Sequence, residues 1–267
     1  MCSKYDIWET IVRSIPQPPI EKCVWTTQPS PHLAIILIET RCHQLLAGVL
    51  YNMAHMYGGQ PDVSLYIFHG TQNLEYIKAI IDTWSGVHLI NLNVHEYDLI
   101  MYNDTLTDIK FWNQIPSNYT LIIQTDTLIL KPIDNLYFQY DFVGAPWTQA
   151  WASGHKYVGN GGFSLRKTST MRKICYVESL RTSGHRHDNK QEDVFLSGKI
   201  CSDKVAPVDI AKQFSVESIY YPSPCGLHKP YEYVTMSELI HLLQQVPHLP
   251  TDVVAYLKGT KPPLRPP

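Results

Sequence analysis

The chain of 267 residues is predicted to be an α/β protein with a mostly parallel, twisted central sheet flanked by helices. Three observations predict it. First, short and nearly unbroken apolar runs recur: LAIILI at 33–38, VSLYIF at 63–68 and TLIIQT at 120–125. Such runs mark strands buried on both faces of a parallel sheet. Second, the stretches between them carry apolar residues at helical spacing, and strand–helix alternation signals βαβ units. Third, the composition is that of a globular chain, with 44% hydrophobic and 11% aromatic residues. Charged residues make up 17%, below the usual value of about 25%, which excludes a disordered chain or a coiled coil.

The elements follow in order. Residues 1–32, rich in proline, read as an arm over the surface with a short helix around Ile7–Ser14. After the first strand, Gln44–Tyr57 has helical spacing (Leu45, Leu46, Val49, Leu50, Met53) and stops at Gly58-Gly59. The second strand leads to a helix at Asn73–Trp84, a third strand at Val87–Leu92, a helix at Leu106–Gln114 and the fourth strand. Beyond Lys131 the texture turns irregular. Short strands are expected at Asp141–Gly144 and Tyr157–Leu165. Helices are expected at Thr168–Leu180, from Glu192, at Thr235–Gln245 and at Thr251–Leu257, before a proline-rich tail. The organisation is therefore an arm (1–32), a main domain (33–231) whose irregular half is fused to the sheet half and completes a cleft, and C-terminal helices with a tail (232–267).

Charge and patterning exclude several functions. A net charge of −2 leaves no basic excess to hold DNA or RNA phosphates. No run of about 18 apolar residues is present, so no stable membrane insertion is expected. The start lacks an apolar signal core, and the six dispersed cysteines form no C-x-x-C. They are read as reduced thiols in a soluble, cytoplasmic protein, with the host cytoplasm the counterpart for a viral source. The Asn-x-Thr sequons at Asn103 and Asn118 are read as chance matches.

Ligands of open α/β sheets bind beyond the carboxyl ends of the strands. That rule selects Glu39-Thr40-Arg41, His69-Gly70 and Gln124-Thr125-Asp126. G-x-G-x-x-G, Walker, G-x-S-x-G and H-E-x-x-H patterns are all absent. Four other features could carry chemistry. Asp126 lies between two apolar segments, where a carboxylate is costly unless a cation or hydrogen-bond donors meet it. The alternative is an Asp that caps a turn. Val158-Gly-Asn-Gly-Gly-Phe-Ser-Leu-Arg166 could bring backbone N–H groups close to a sugar, or simply turn the chain between strands. Glu192-Asp193 opens a helix, either as partners of the helix dipole or as a general base. In Gly226-Leu-His228-Lys229-Pro230 the histidine could bind a metal and the lysine a phosphate, or both could be surface residues. His185-Arg-His187-Asp188 is read as a solvated loop, and the apolar residues of Leu239–Val246 as helix core.

Taken together these segments resemble a family of glycosyltransferase-like domains of unknown function related to the GT-A (nucleotide-diphospho-sugar transferase) superfamily. The resemblance rests on Ile38–Arg41, Phe68–Gly70 with Asn73, Phe111-Trp112, Ile123–Thr127, Tyr140–Trp147, Val158–Arg166, Glu192–Phe195, Ala211–Glu217 and Gly226–Pro230, which occur in that order. It implies a GT-A-like fold with a nucleotide-sugar half and an acceptor half around one cleft. It also implies Mn²⁺ or Mg²⁺ held against the donor diphosphate by an Asp-x-Asp motif. Here that motif reads Gln124-Thr125-Asp126, so only Asp126 carries over as a ligand, with His228 as the second. The resemblance places Glu39, Thr40, Arg41, Gln124, Thr125, Gly161, Gly162, Arg166 and Lys229 on the donor. Trp147 and Asn160 fall on the sugar or acceptor, and Asp193, with Glu192 beside it, is the base.

The activity so implied is transfer of a sugar from a nucleotide sugar, expected to be a UDP-sugar, to a hydroxyl of a glycan or glycoconjugate acceptor. The transfer would be metal-dependent and inverting. The alternatives are a nucleotide-sugar- or glycan-binding module without turnover, which Gln124 favours, and a sugar nucleotidyltransferase. The lack of a glycine-rich basic loop after the first strand opposes the latter.

Overall fold

A computed structural model of the protein describes residues 3–149, 157–181 and 191–260. The elements run α1 (Lys4–Arg13), β1 (Leu33–Glu39), α2 (Leu46–Tyr57), β2 (Val63–His69), α3 (Leu74–Ile80), β3 (Val87–Asn91), α4 (Leu99–Thr107), α5 (Ile109–Asn113), β4 (Tyr119–Ile123) and β5 (Thr127–Ile129). There follow β6 (Phe142–Val143), β7 (Phe163–Lys167), α6 (Thr168–Arg181), α7 (Glu192–Lys199), α8 (Val208–Phe214), β8 (Ser215–Val216), β9 (Gly226–His228), α9 (Met236–Leu243) and α10 (Thr251–Leu257).

The main sheet has the order β3-β2-β1-β4-β7-β6. β3, β2, β1 and β4 are parallel, whereas β7 runs antiparallel to both β4 and β6. All seven residues of β1 and of β2 are buried, which is why both read as unbroken apolar runs. A smaller sheet, β5-β9-β8, stands beside it. The mixed α/β architecture with a mostly parallel sheet agrees with the sequence reading. Among the described residues no helix is long and apolar enough to cross a membrane.

The first residues are not a surface arm. Ser3 caps α1 in a reciprocal box with Asp6, and Ile7, Trp8, Ile11 and Val12 are buried in the same core as the sheet. Those four residues form one helical stripe, and burying it outweighs the extended bias of the neighbouring prolines. Asn103 is also buried. Its Oδ1 accepts the Glu192 N–H at the start of α7, so this sequon serves as a helix cap. The His185–Asp188 cluster and the proline-rich tail lie outside the described residues.

Three segments converge because of strand register. β4 ends at Ile123 opposite Phe163, so Gln124–Asp126 leaves the sheet beside Gly161-Gly162. The chain then turns, with Thr127 N–H donating to Gln124 O, and enters the second sheet as β5. There Thr127 pairs with His228, which brings the histidine beside Asp126. β1 pairs in parallel with β4, so Glu39–Arg41 emerges at the same end.

Candidate active site

A cavity of about 260 Å³ opens at these strand ends. Glu39, Thr40, Arg41, Gln124, Thr125 and Asp126 line it, as do the Tyr97–Leu99 segment and Tyr102. A larger hollow of about 400 Å³, between Tyr140, Tyr157 and Pro207, takes in Val158 but none of the acidic, basic or histidine candidates above. The smaller cavity is therefore the candidate site.

The rim at β1 is tied by hydrogen bonds. Glu39 accepts two hydrogen bonds from the Arg41 guanidinium, at 2.9 and 2.8 Å, and one from the Arg41 backbone N–H. Asn73 joins the ends of β1 and β2 by donating to the carbonyls of Glu39 and Arg41 and accepting from the Gly70 N–H. Thr40 Oγ1 accepts the Tyr97 N–H, which ties the Tyr97–Leu99 segment to the same strand end.

The floor holds the densest polar cluster. Nε2 of the buried His228 lies 3.1 Å from Gln124 Oε1 and 3.4 Å from Asp126 Oδ1, while Nδ1 lies 3.2 Å from Glu217 Oε1. Glu217 is itself buried. Burial alone would push the imidazole pKa down, but Asp126 and Glu217 on either side outweigh it and hold the pKa up at about 9. Burial would likewise raise the Asp126 carboxyl, yet His228 and Lys229 keep it below the usual carboxylate range. Among the described residues the buried Asp126 Oδ1 has no well-formed hydrogen bond, and its nearest charge is His228 Nε2 at 3.4 Å. Lys229 adopts the left-handed backbone conformation, with φ at +35°, and donates its N–H to Asp126 O. Its ammonium lies 3.8 Å from Glu232.

Two glycines connect this floor to a second acidic centre. A Cβ on Gly162 would sit 2.1 Å from His228 Nε2, and one on Gly161 would sit 2.5 Å from Glu192 Oε1. The glycines expected to approach a sugar therefore let the backbone approach these side chains. Asp193 Oδ2 accepts the Gly161 N–H at 2.9 Å, and Oδ1 accepts the Val194 N–H at 2.7 Å. Burial, followed by the Glu192 charge, pushes the Asp193 carboxyl up to about 7, against the opposing pull of the Val194 N–H, Arg166 and the Gly161 N–H.

Glu192 and Arg166 occupy a different environment. The guanidinium is fully buried and grips Glu192 with two bonds, 2.6 and 2.8 Å long. Ser164 and the Phe142 ring complete its surroundings. Arg166 was expected at the donor and Glu192 beside the base, but the structure gives both carboxylate oxygens of Glu192 to Arg166, in the interior. Trp147 is buried against Gly159 instead of presenting an open ring face. Asn160 Oδ1 accepts the Gly162 N–H. The structure thus brings together Glu39, Thr40, Arg41, Gln124, Thr125 and Asp126 around the cavity, with His228 beneath them. Gly162 packs on His228, and Gly161 packs on Glu192 and donates its N–H to Asp193.

The sequence reading gave no role to Tyr102 or Glu217. Tyr102 lines the cavity from α4, and its hydroxyl is buried beside Gln124 without reaching hydrogen-bond geometry. Glu217 lay in a segment already matched to the family resemblance, but only the fold brings it to His228.

The family described as "Protein of unknown function (DUF5672)" matches residues 91–228, just over half of the chain. No curated protein matches it. Solved structures similar to the chain include the apo form of the glycosyltransferase GlyE from Streptococcus pneumoniae TIGR4. That likeness has a TM-score of 0.47 and 11% identity, and covers 78% of this chain and 55% of that one. The mannosyltransferase PcManGT from Pyrobaculum calidifontis, solved in complex with GDP-Man and Mn²⁺, gives a TM-score of 0.45 and 14% identity, covering 78% and 63%. Mouse xyloside xylosyltransferase 1, in its apo form, gives 0.49 and 11%, covering 77% and 99%. The chain therefore spans about half the length of the pneumococcal protein. The family match starts at the end of β3, encloses Gln124–Asp126, Gly161-Gly162 and Asp193, and stops at His228, and on that match the chain belongs to the DUF5672 family.

Proposed function

We propose that this protein is a glycosyltransferase that moves a sugar from a nucleotide sugar, a UDP-sugar, to a hydroxyl of a glycan acceptor. One observation carries the reading. The adjacent residues Gly161 and Gly162 hold an acid with a pKa near 7 on one side and the Asp126–His228 cluster on the other. Their Cα atoms are about 3.8 Å apart. A proton acceptor and a charge-compensating cluster thus flank one short stretch of backbone, as a displacement at a sugar carbon requires.

The polar cluster fits a divalent cation. Gln124 Oε1, Asp126 Oδ1 and His228 Nε2 are two oxygens and a nitrogen facing one another, and Asp126 Oδ1 is a buried acceptor without a donor. Among the described residues no group of three His, Cys, Asp or Glu side chains is placed to hold a metal. Asp126 and His228, with the neutral Gln124, would hold the ion. When bound, Mn²⁺ or Mg²⁺ supplies positive charge against the negative charge that builds on the leaving diphosphate.

The chain's own residues do the rest. Glu39, Thr40 and Arg41 bound the nucleoside end, and Lys229 adds positive charge beside Asp126. Glu217, its carboxylate 3.2 Å from Nδ1 of His228, holds the imidazole by charge with Nε2 toward Asp126. The acceptor hydroxyl attacks the anomeric carbon, the bond from that carbon to the diphosphate oxygen breaks, and the hydroxyl proton passes to Asp193. Its pKa near 7 suits a base at neutral pH. A single displacement of this kind inverts the anomeric centre. Arg166 and Glu192 act through Gly161 and Asp193 as positioning residues.

A donor screen tests the reading. Thermal shift and hydrolysis would be measured with UDP-, GDP- and CMP-sugars, each with Mn²⁺ and with EDTA. The expected result is one UDP-sugar that stabilises the protein and is hydrolysed only with metal. Binding without turnover, even when glycan acceptors are supplied, would favour a binding module, the reading that Gln124 in place of an acid supports. Release of pyrophosphate from UTP and a sugar phosphate would favour a nucleotidyltransferase.

A further inference from the structure

We infer that the Tyr102 hydroxyl contacts the transferred sugar ring of the donor and selects it by donating a hydrogen bond to one of its oxygens. This inference rests on the glycosyltransferase reading above. Among the described residues that line the cavity, two side-chain atoms are buried without a hydrogen bond: Asp126 Oδ1 and the Tyr102 hydroxyl. The first is accounted for by the cation that Asp126 would hold. The second needs a partner of its own, because a buried polar group left unsatisfied is uncommon and costly.

Its position says which part of the ligand that partner is. Tyr102 lines the cavity from α4, together with Glu39–Arg41, the proposed nucleoside end. Gln124, Glu192, Arg166 and Asp193 are the polar groups near the hydroxyl. The hydroxyl therefore lies close both to Gln124 of the cation cluster and to the acid assigned as base, where the transferred ring would react. A phenol is protonated at neutral pH, so the hydroxyl can act as a donor. α4 is itself fixed here. Asp98 caps its first turn, and Asn103, next to Tyr102, holds the N-terminus of α7.

The test compares wild-type protein with Tyr102→Phe, which deletes one oxygen. Both would be titrated calorimetrically, in Mn²⁺, with UDP and with UDP-glucose, UDP-galactose and UDP-xylose. The sugar bound best by the wild type is expected to bind roughly 5- to 20-fold more weakly to Tyr102→Phe, the loss of one hydrogen bond. UDP alone is expected to bind both proteins equally, and the melting temperature to stay level or rise. Equal weakening for UDP and the UDP-sugar would assign the hydroxyl to the diphosphate and overturn the inference. Unchanged binding of the UDP-sugar would overturn it as well. A wild type that takes up none of the four probes would instead refute the donor reading, and this inference with it.

Discussion

Two buried charge clusters lie within a few residues of each other, and they are built in opposite ways. In the Arg166–Glu192 pair every strong partner is present: two short bonds between the ions, Ser164 on the guanidinium and an aromatic ring beside it. In the Asp126–His228 cluster the contacts are longer, 3.1 to 3.4 Å, and Asp126 Oδ1 lacks a hydrogen bond. A saturated pair has nothing left to offer a ligand and acts as scaffold. An unsaturated cluster bordering a cavity keeps its donors and acceptors for a ligand. The lesson is to look for function where polar groups are unsatisfied, since burial and charge are common to both clusters.

That contrast can be broken most sharply at the scaffold. Glu192→Ala leaves the Arg166 charge buried alone and should destabilise the fold by about 3–5 kcal/mol, read from urea unfolding. Replacing both ions together, as Arg166→Met with Glu192→Leu, should cost much less. A Glu192→Ala protein within about 1 kcal/mol of wild type would show that the pair is not scaffold.

Asp193, next to Glu192, forms no ion pair among the described residues, and it sharpens the comparison. Asp193→Asn should lower kcat by roughly 10²- to 10⁴-fold while donor affinity holds, as for removal of a general base. The wild-type rate should rise with pH through about 7 and level off above it. Stability should move the other way. The carboxyl is raised from 3.8 to about 7 on folding, so between those values the folded state binds more protons than the unfolded one, and stability falls as pH rises. The effect amounts to at most roughly 4 kcal/mol. Asp193→Asn removes it, so the variant should gain on wild type between pH 5 and pH 8 in parallel denaturation curves. Wild-type stability that did not decline across that range would contradict the assigned environment.

The smallest effect is expected at Glu217. Glu217→Gln should weaken Mn²⁺ binding about 10- to 100-fold, as measured by electron paramagnetic resonance, with little change in melting temperature. Unaltered Mn²⁺ affinity would remove Glu217 from the cluster's function.

The parallel half of the sheet was legible because strands buried on both faces must be apolar throughout, as β1 and β2 are. α10 was placed at its observed limits for a similar reason, with a proline before it and periodic apolar residues within. α4 was missed. Its Leu99, Ile100 and Met101 are consecutive and exposed, so no amphipathic stripe announces the helix. β8 and β9 are two and three residues long, too short for any period to register. The strand expected at Tyr157–Leu165 begins only at Phe163, because the glycines before it wrap around side chains. Within the site, Asp126, Asp193 and His228 stood out as polar residues in unusual local settings. Tyr102 and Glu217 did not, since each looks ordinary locally and acquires its meaning only through packing across the chain.

The most direct test of the central claim, that Asp126 and His228 form a ligand cluster and not a structural ion pair, is Mn²⁺-dependent UDP-sugar binding in three proteins: wild type, Asp126→Asn and His228→Ala. Melting temperatures would be recorded alongside. The wild type is expected to bind the UDP-sugar only with Mn²⁺, and both variants to lose that binding by roughly 100-fold or more while remaining folded. Variants that bind as tightly as wild type, or that unfold as Glu192→Ala is expected to, would contradict the claim.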